Sequence, residues 1–234
     1  MQVLGNGGSM DTLIAGLDWV AQNWDKVDPP IRAVSISLGC PCNISSLHDA
    51  VRTVAQNVVV VVAAGNENDN LYNYSPAMYP EVITVTAMDA STNEEASEFS
   101  NWASAEDKAK AETHVVSAPG VSVYSTVLNA NWDDYSGTSF AAPHVSGMVA
   151  RCFGYTYRCK DTGELKLAEG LCSSLGTDGI KIKEAIISAI TSKAMNAGSQ
   201  FRCDPLSDSC PTMNYYDYLA MAPYLDADGG GPQS

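Results

Sequence analysis

The run Val58 to Ala64 sets seven apolar residues in a row, five of them Val, with no polar position on either side of the pleat. A run of that length and β-branched content reads as a strand buried on both faces. Val82 to Ala87 repeats the pattern, and Ala33 to Leu38 supplies a third strand closed by Gly39. Between them lie stretches of helical period. Leu13, Ile14, Leu17 and Val20 follow Ser9, a good N-cap, and fade before Pro29-Pro30; Leu47, Val51, Val54 and Ala55 follow Ser45-Ser46. Strand and helix alternate. With right-handed crossovers the order predicts an α/β fold, a doubly wound parallel sheet flanked by helices on both faces. Ligands of such sheets gather beyond the carboxyl ends of the strands, here Leu38-Gly39 and Ala64-Gly65-Asn66.

Further along, Val121 to Leu128 reads as another strand, Thr138 to Arg151 as a helix, and Ile180 to Met195 as a helix burying Ile182, Ile186, Ile187 and Ile190. A Cys- and Gly-containing insert, Cys152 to Gly179, separates the two helices. No glycine-bearing strand stands out near Tyr215 to Leu219. Residues 1–225 are expected to form the folded domain and 226–234, with three consecutive glycines, a disordered tail.

Composition excludes several classes. Thirteen Lys and Arg against 27 Asp and Glu give a net charge of −14, which repels a phosphate backbone and an anionic membrane surface. Nucleic acid is not the expected partner. The longest apolar run is far short of the roughly 20 residues that span a bilayer as a helix. Seven cysteines, with Cys159, Cys172, Cys203 and Cys210 in the last third at wide spacings, favour disulfides over a metal site, since no Cys-x-x-Cys pair occurs. An oxidising, secreted setting is the expectation, although Met1 to Leu13 carries no signal-peptide pattern. Two sequons, Asn43-Ile44-Ser45 and Asn73-Tyr74-Ser75, are no more than chance supplies.

The segment Gly137-Thr138-Ser139-Phe140-Ala141-Ala142-Pro143-His144 sets a turn just before a helix. Ser139 falls in the first turn, where unpaired N–H groups and the positive dipole end favour a developing oxyanion. Continued through Val145-Ser146-Gly147, this segment resembles the nucleophile signature of the subtilisin-like serine proteases, the subtilases. Ala63-Ala64-Gly65-Asn66 is similar to the strand end whose Asn completes that family's oxyanion hole. Ser37-Leu38-Gly39 resembles its peptide-pairing strand, and Val3-Leu4-Gly5 to Trp19 its preceding strand, binding loop and helix.

The resemblance implies a serine endopeptidase that forms an acyl-enzyme at Ser139, with Asn66 stabilising the tetrahedral intermediate. Ser37, Leu38, Gly39, Ala63, Ala64, Gly65, Gly7 and Gly8 would bind the substrate, an extended polypeptide; Gly5-Asn6-Gly7-Gly8 resembles the edge segment to which a peptide adds as a strand. Glu67 would lie near the pocket for the residue before the cut, favouring basic or polar side chains there. The reaction needs no cofactor. Many subtilases bind structural calcium, and Asp69, Asn70 and Asn73 offer oxygen ligands, but no ligand-loop pattern locates a site. A monomer is expected.

The nucleophile also needs a base and an orienting carboxylate, which the family takes from upstream segments. Only three histidines are present. His144, five residues after Ser139, sits roughly 140° around the helix from it; His48 falls in the helix after the Ser37 strand, and His114 precedes Val115-Val116. None reads as the base. The expectation is an N-terminally truncated chain, inactive alone. A non-catalytic module that keeps the groove to bind polypeptide is the alternative, against which the retained Ser139 and Asn66 argue.

Overall fold

The computed structural model describes residues 9–89, 95–158, 165–168, 170–197, 214–215 and 218–219. Its elements in chain order are α1 (Met10–Asn23), β1 (Ala33–Ile36), α2 (Ser45–Ala55), β2 (Val59–Ala63), β3 (Ile83–Asp89), β4 (Glu95–Ala96), β5 (Ala103–Ser104), α3 (Lys108–Ala111), β6 (Val115–Pro119), β7 (Val123–Val127), β8 (Asn131–Tyr135), α4 (Thr138–Phe153), β9 (Tyr155–Arg158), β10 (Leu165–Ala168), α5 (Gly179–Ala197), β11 (Asn214–Tyr215) and β12 (Tyr218–Leu219). The main sheet runs β1-β2-β3-β6-β12, all parallel, with β4 antiparallel on β3.

The Val run does what its composition predicts. Every residue of β2 is buried. Val60 and Val62 join Ile36 in a core with Leu13 and Leu17 of α1 and Leu47 and Val51 of α2. Val59 and Val61 turn the other way, onto Ala141, Val145 and Val149 of α4 and Ile182 and Ile186 of α5. Burying such aliphatic side chains contributes roughly 1.5–3 kcal/mol each. The sheet is therefore clad on both faces, with α1 and α2 on one and α4 and α5 on the other. α1 starts where its cap requires: Ser9 Oγ accepts from Thr12 N–H, and Ser9 N–H donates to Thr12 Oγ1.

One boundary needs correction, and three readings gain a partner. The first strand ends at Ile36, because Ser37 to Gly39 leave the ladder. The Val121–Leu128 segment holds a strand, as expected, over Val123–Val127; among the described residues it pairs, as β7, only with β8, in a ribbon separate from the main sheet. Tyr215 to Leu219 does hold strand, in the two-residue β11 and β12, paired with β5 and β6. Cys172 is paired, as expected, but its partner is Cys152 at the end of α4, and a further bridge joins Cys40 and Cys42 across Pro41. Cys159, Cys203 and Cys210 lie outside the described residues, as do Gly7, Gly8 and 226–234. The insert contributes the β9–β10 hairpin and a 3-10 turn, Leu171–Ser174, that carries Cys172 back to α4.

His114, immediately before β6, is 1 % exposed. Its Nδ1 faces the Lys110 carbonyl oxygen at 2.9 Å, and its Nε2 has no hydrogen-bond partner among the described residues. Burial, and then the Lys183 ammonium, lower its pKa to about 4. The native ring thus stays neutral where an unfolded one, near 6.5, already binds a proton. Between those values the unfolded chain holds more protons, so stability falls as pH drops from about 6.5 towards 4. Urea midpoints at pH 7 and pH 5 should differ in that direction, and His114→Gln should shrink the difference.

Candidate active site

Ser139 is the second residue of α4, so its amide has no acceptor within the helix, while the Ser37 hydroxyl donates to its backbone carbonyl at 3.1 Å. That bond places the end of β1 against the start of α4. The end of β2 arrives beside them. Gly65 turns with φ of +107°, and a Cβ there would collide with Asn101 Nδ2, so the turn requires glycine.

Asn66 projects from this turn and is locked by Thr138. Thr138 N–H donates to Asn66 Oδ1 at 2.8 Å, and the Thr138 hydroxyl donates to the same oxygen at 2.9 Å. The Thr138 hydroxyl in turn accepts from Gly65 N–H at 3.2 Å. A backbone N–H can only donate, which identifies the bound amide atom as oxygen. The other atom of the amide, Nδ2, is left as the donor. Asn101, fully buried, braces the same turn: Oδ1 accepts from the N–H groups of Glu67 and Asp69, and Nδ2 donates to the Ala64 carbonyl and Glu67 Oε2.

A cavity of about 120 Å³ opens between these strand ends and the helix. Ser37, Leu38, Gly39, Ala63, Ala64, Gly65, Asn66 and Ser139 all line it. Sequence reasoning missed Tyr74, Ser75 and Ala77, which form another wall, and the locking role of Thr138. Glu67 also lines the cavity, but its Oε2 already accepts from Asn66 N–H and Asn101 Nδ2, both at 2.8 Å. Its carboxylate therefore serves the turn first, leaving only Oε1 to meet a substrate.

The three histidines are engaged elsewhere. His48 stacks on Tyr79, ring centroids 4.1 Å apart, with Nε2 2.9 Å from Glu81 Oε2. His114 is buried as described. His144 is exposed, and its Nδ1 is bound to the Phe140 carbonyl at 2.8 Å. Asp69, Asn70 and Asn73 are tied to one another: Asp69 Oδ1 accepts from Asn70 N–H and Oδ2 from Asn73 Nδ2. Among the described residues no group of three or more His, Cys, Asp or Glu is placed to hold a metal. Among those residues no helix is long and apolar enough to cross a membrane.

Comparison with known proteins points the same way. The Subtilase family model matches residues 1–197. The chain is 38% identical over 148 residues to the alkaline serine protease ver112 of Corniculantispora psalliotae, covering 63% of this chain and 36% of that protein. It is 41% identical over 155 residues to a cuticle-degrading serine protease of Arthrobotrys oligospora, covering 64% and 34%. The chain thus spans about a third of the length of these relatives. A cold-adapted subtilisin-like serine proteinase superposes with a TM-score of 0.60 at 26% identity, over 93% of this chain and 64% of that one. The protease PagA gives 0.65 at 21% identity, over 95% and 69%, a likeness of fold. A match reaching from the first residue to the end of α5 takes in every strand end and helix that frames the cavity, and the chain belongs to the subtilase family.

Proposed function

We propose that this chain carries the nucleophile, oxyanion hole and substrate walls of a serine endopeptidase. Ser139 Oγ attacks the scissile carbonyl; Asn66 Nδ2 and the Ser139 amide stabilise the tetrahedral oxyanion; collapse expels the amine and leaves an acyl-enzyme, which water then hydrolyses. The observation that carries this reading is the fixing of Asn66 Oδ1 by Thr138, which commits Nδ2 to donation, with Asn66 and Ser139 lining one cavity. Preorganised donors of this kind stabilise negative charge without reorganising during the reaction. The side chain before the cut enters the cavity, and an extended polypeptide is the substrate class. The buried Cys152–Cys172 pair supports a secreted setting.

The base comes from a segment other than the three histidines here. Among the described residues β1 is an edge of the main sheet, and an apolar groove of about 330 Å³ lies between it and α1, lined among others by Leu17, Val34 and Ile36. Ser37 and Leu38 line both this groove and the candidate active-site cavity. A strand docking on that edge would end beside Ser139, which makes it the route by which an upstream segment delivers an aspartate and a histidine. The test is labelling by a fluorophosphonate probe of the chain co-expressed with such a segment from another subtilase. Mass spectrometry should find the adduct on Ser139; a correctly assembled complex with Ser139 unmodified would leave the polypeptide-binding reading in its place.

A further inference from the structure

The β7–β8 ribbon stands outside the main sheet, and neither of its strands pairs with a third among the described residues. Register sets Tyr124 opposite Asp134 and Thr126 opposite Trp132. Tyr124, Thr126, Trp132 and Asp134 therefore share one face. On it the Tyr124 and Trp132 rings stack, centroids 5.5 Å apart, yet remain 65% and 55% exposed. Leu128, at the turn, is 88% exposed. Most of the large hydrophobic side chains exposed among the described residues are thus on this one ribbon, where burial in the chain's own core does not explain them.

The ribbon is anchored at the candidate active site. Its last residue, Tyr135, stacks on Phe140, the neighbour of Ser139, with centroids 5.6 Å apart. Ser122 N–H donates to Ser136 Oγ at 2.9 Å, and Gly137 N–H to the Gly120 carbonyl at 2.8 Å. No ribbon residue lines the cavity assigned to the side chain before the cut, so the ribbon bounds Ser139 from a different side. Its charge has one sign: Asp133 and Asp134 are exposed, and no Lys or Arg occurs between Gly120 and Pro143.

We propose that this ribbon binds the leaving-group side of a polypeptide substrate, several residues beyond the cut. An aromatic or aliphatic side chain rests on the Tyr124–Trp132 stack, and a Lys or Arg pairs with Asp134 on the same face. The unpaired strand edges offer N–H and C=O groups to the extended peptide that carries them. The proposal rests on the serine-endopeptidase reading and adds to it a preference remote from the cavity.

The test uses the full chain and two fluorescent decapeptides, identical upstream of the intended cut, carrying either Phe and Lys or Gly and Ser downstream of it. Anisotropy should give the Phe/Lys peptide about tenfold tighter binding, a difference within reach of one aromatic contact plus one screened ion pair. Y124S with W132S should bring it to the level of the Gly/Ser peptide, and D134N should remove the salt-dependent part of the preference, while D133N, on the opposite face, should leave it in place. Binding of a peptide that ends at the cut should be unchanged in all these variants, which guards against a misfolded ribbon. Equal affinities of the two decapeptides, or a preference that survives Y124S with W132S or keeps its salt dependence in D134N, would overturn the proposal. Labelling of Ser139 without peptide discrimination removes the ribbon's role alone; failure to label Ser139 removes the serine reading and the leaving-group assignment with it.

Discussion

Supplied with an upstream subtilase segment that carries an aspartate and a histidine, the chain is expected to hydrolyse a chromogenic peptide about a million-fold faster than it does alone. The scale is borrowed from subtilisin, where removal of the histidine or serine costs about 2 × 10⁶ in turnover. The physical reason is the state of the three histidines. His48 is held between Tyr79 and Glu81, His114 is sealed in the core, and His144 spends its Nδ1 proton on the Phe140 carbonyl. Without a base the Ser139 hydroxyl is a weak nucleophile at neutral pH. Residual catalysis should come from the oxyanion donors and substrate binding, and Ser139→Ala should abolish the gain from complementation. Turnover by the isolated chain within about tenfold of the complemented one would show that a base had been overlooked.

In that complemented enzyme, Asn66→Ala should lower turnover by about a hundred- to a thousand-fold with little change in KM. The magnitude is again that of losing one oxyanion-hole donor in a subtilisin. A selective loss of turnover is the signature of an interaction made only in the transition state. Thr138→Val supplies the internal comparison, since valine keeps the buried shape and removes the hydroxyl that donates to Asn66 Oδ1. Its backbone N–H bond to the same oxygen survives, so the loss should be smaller, about tenfold, as expected for one hydrogen bond. If the two variants were equal, or if Asn66→Ala raised KM alone, the amide would be lining a pocket rather than stabilising charge.

Much of this was legible because the chemistry is local. A seven-residue Val-Ala run can be buried only between two layers, and a glycine-led bend before a helix fixes where a serine hydroxyl emerges. What escaped depends on contacts distant in sequence. The lock on Asn66 joins positions 66 and 138, and the brace on its turn comes from Asn101; neither is announced by a motif. Glu67 reads as a free carboxylate, yet its neighbours' N–H groups claim one oxygen. The Val121–Leu128 segment has strand composition, but the alternating exposure of Val123–Val127 suits a ribbon of its own better than a doubly covered sheet. The Cys40–Cys42 bridge closes across a single residue, a spacing that does not by itself announce a disulfide.

One further consequence lies at the opposite end of α4 from Ser139. The helix is 16 residues long, a rod of about 24 Å at 1.5 Å per residue. Its tip is gripped by Asn66 and by the packing of Ala141 and Val145, while its heel is fastened by Cys152 to Cys172. Loss of that fastening, worth about 3 kcal/mol for a loop of this size, would slacken the heel and leave the tip held. Oxidising surroundings would then govern how long the molecule survives, not how fast it works.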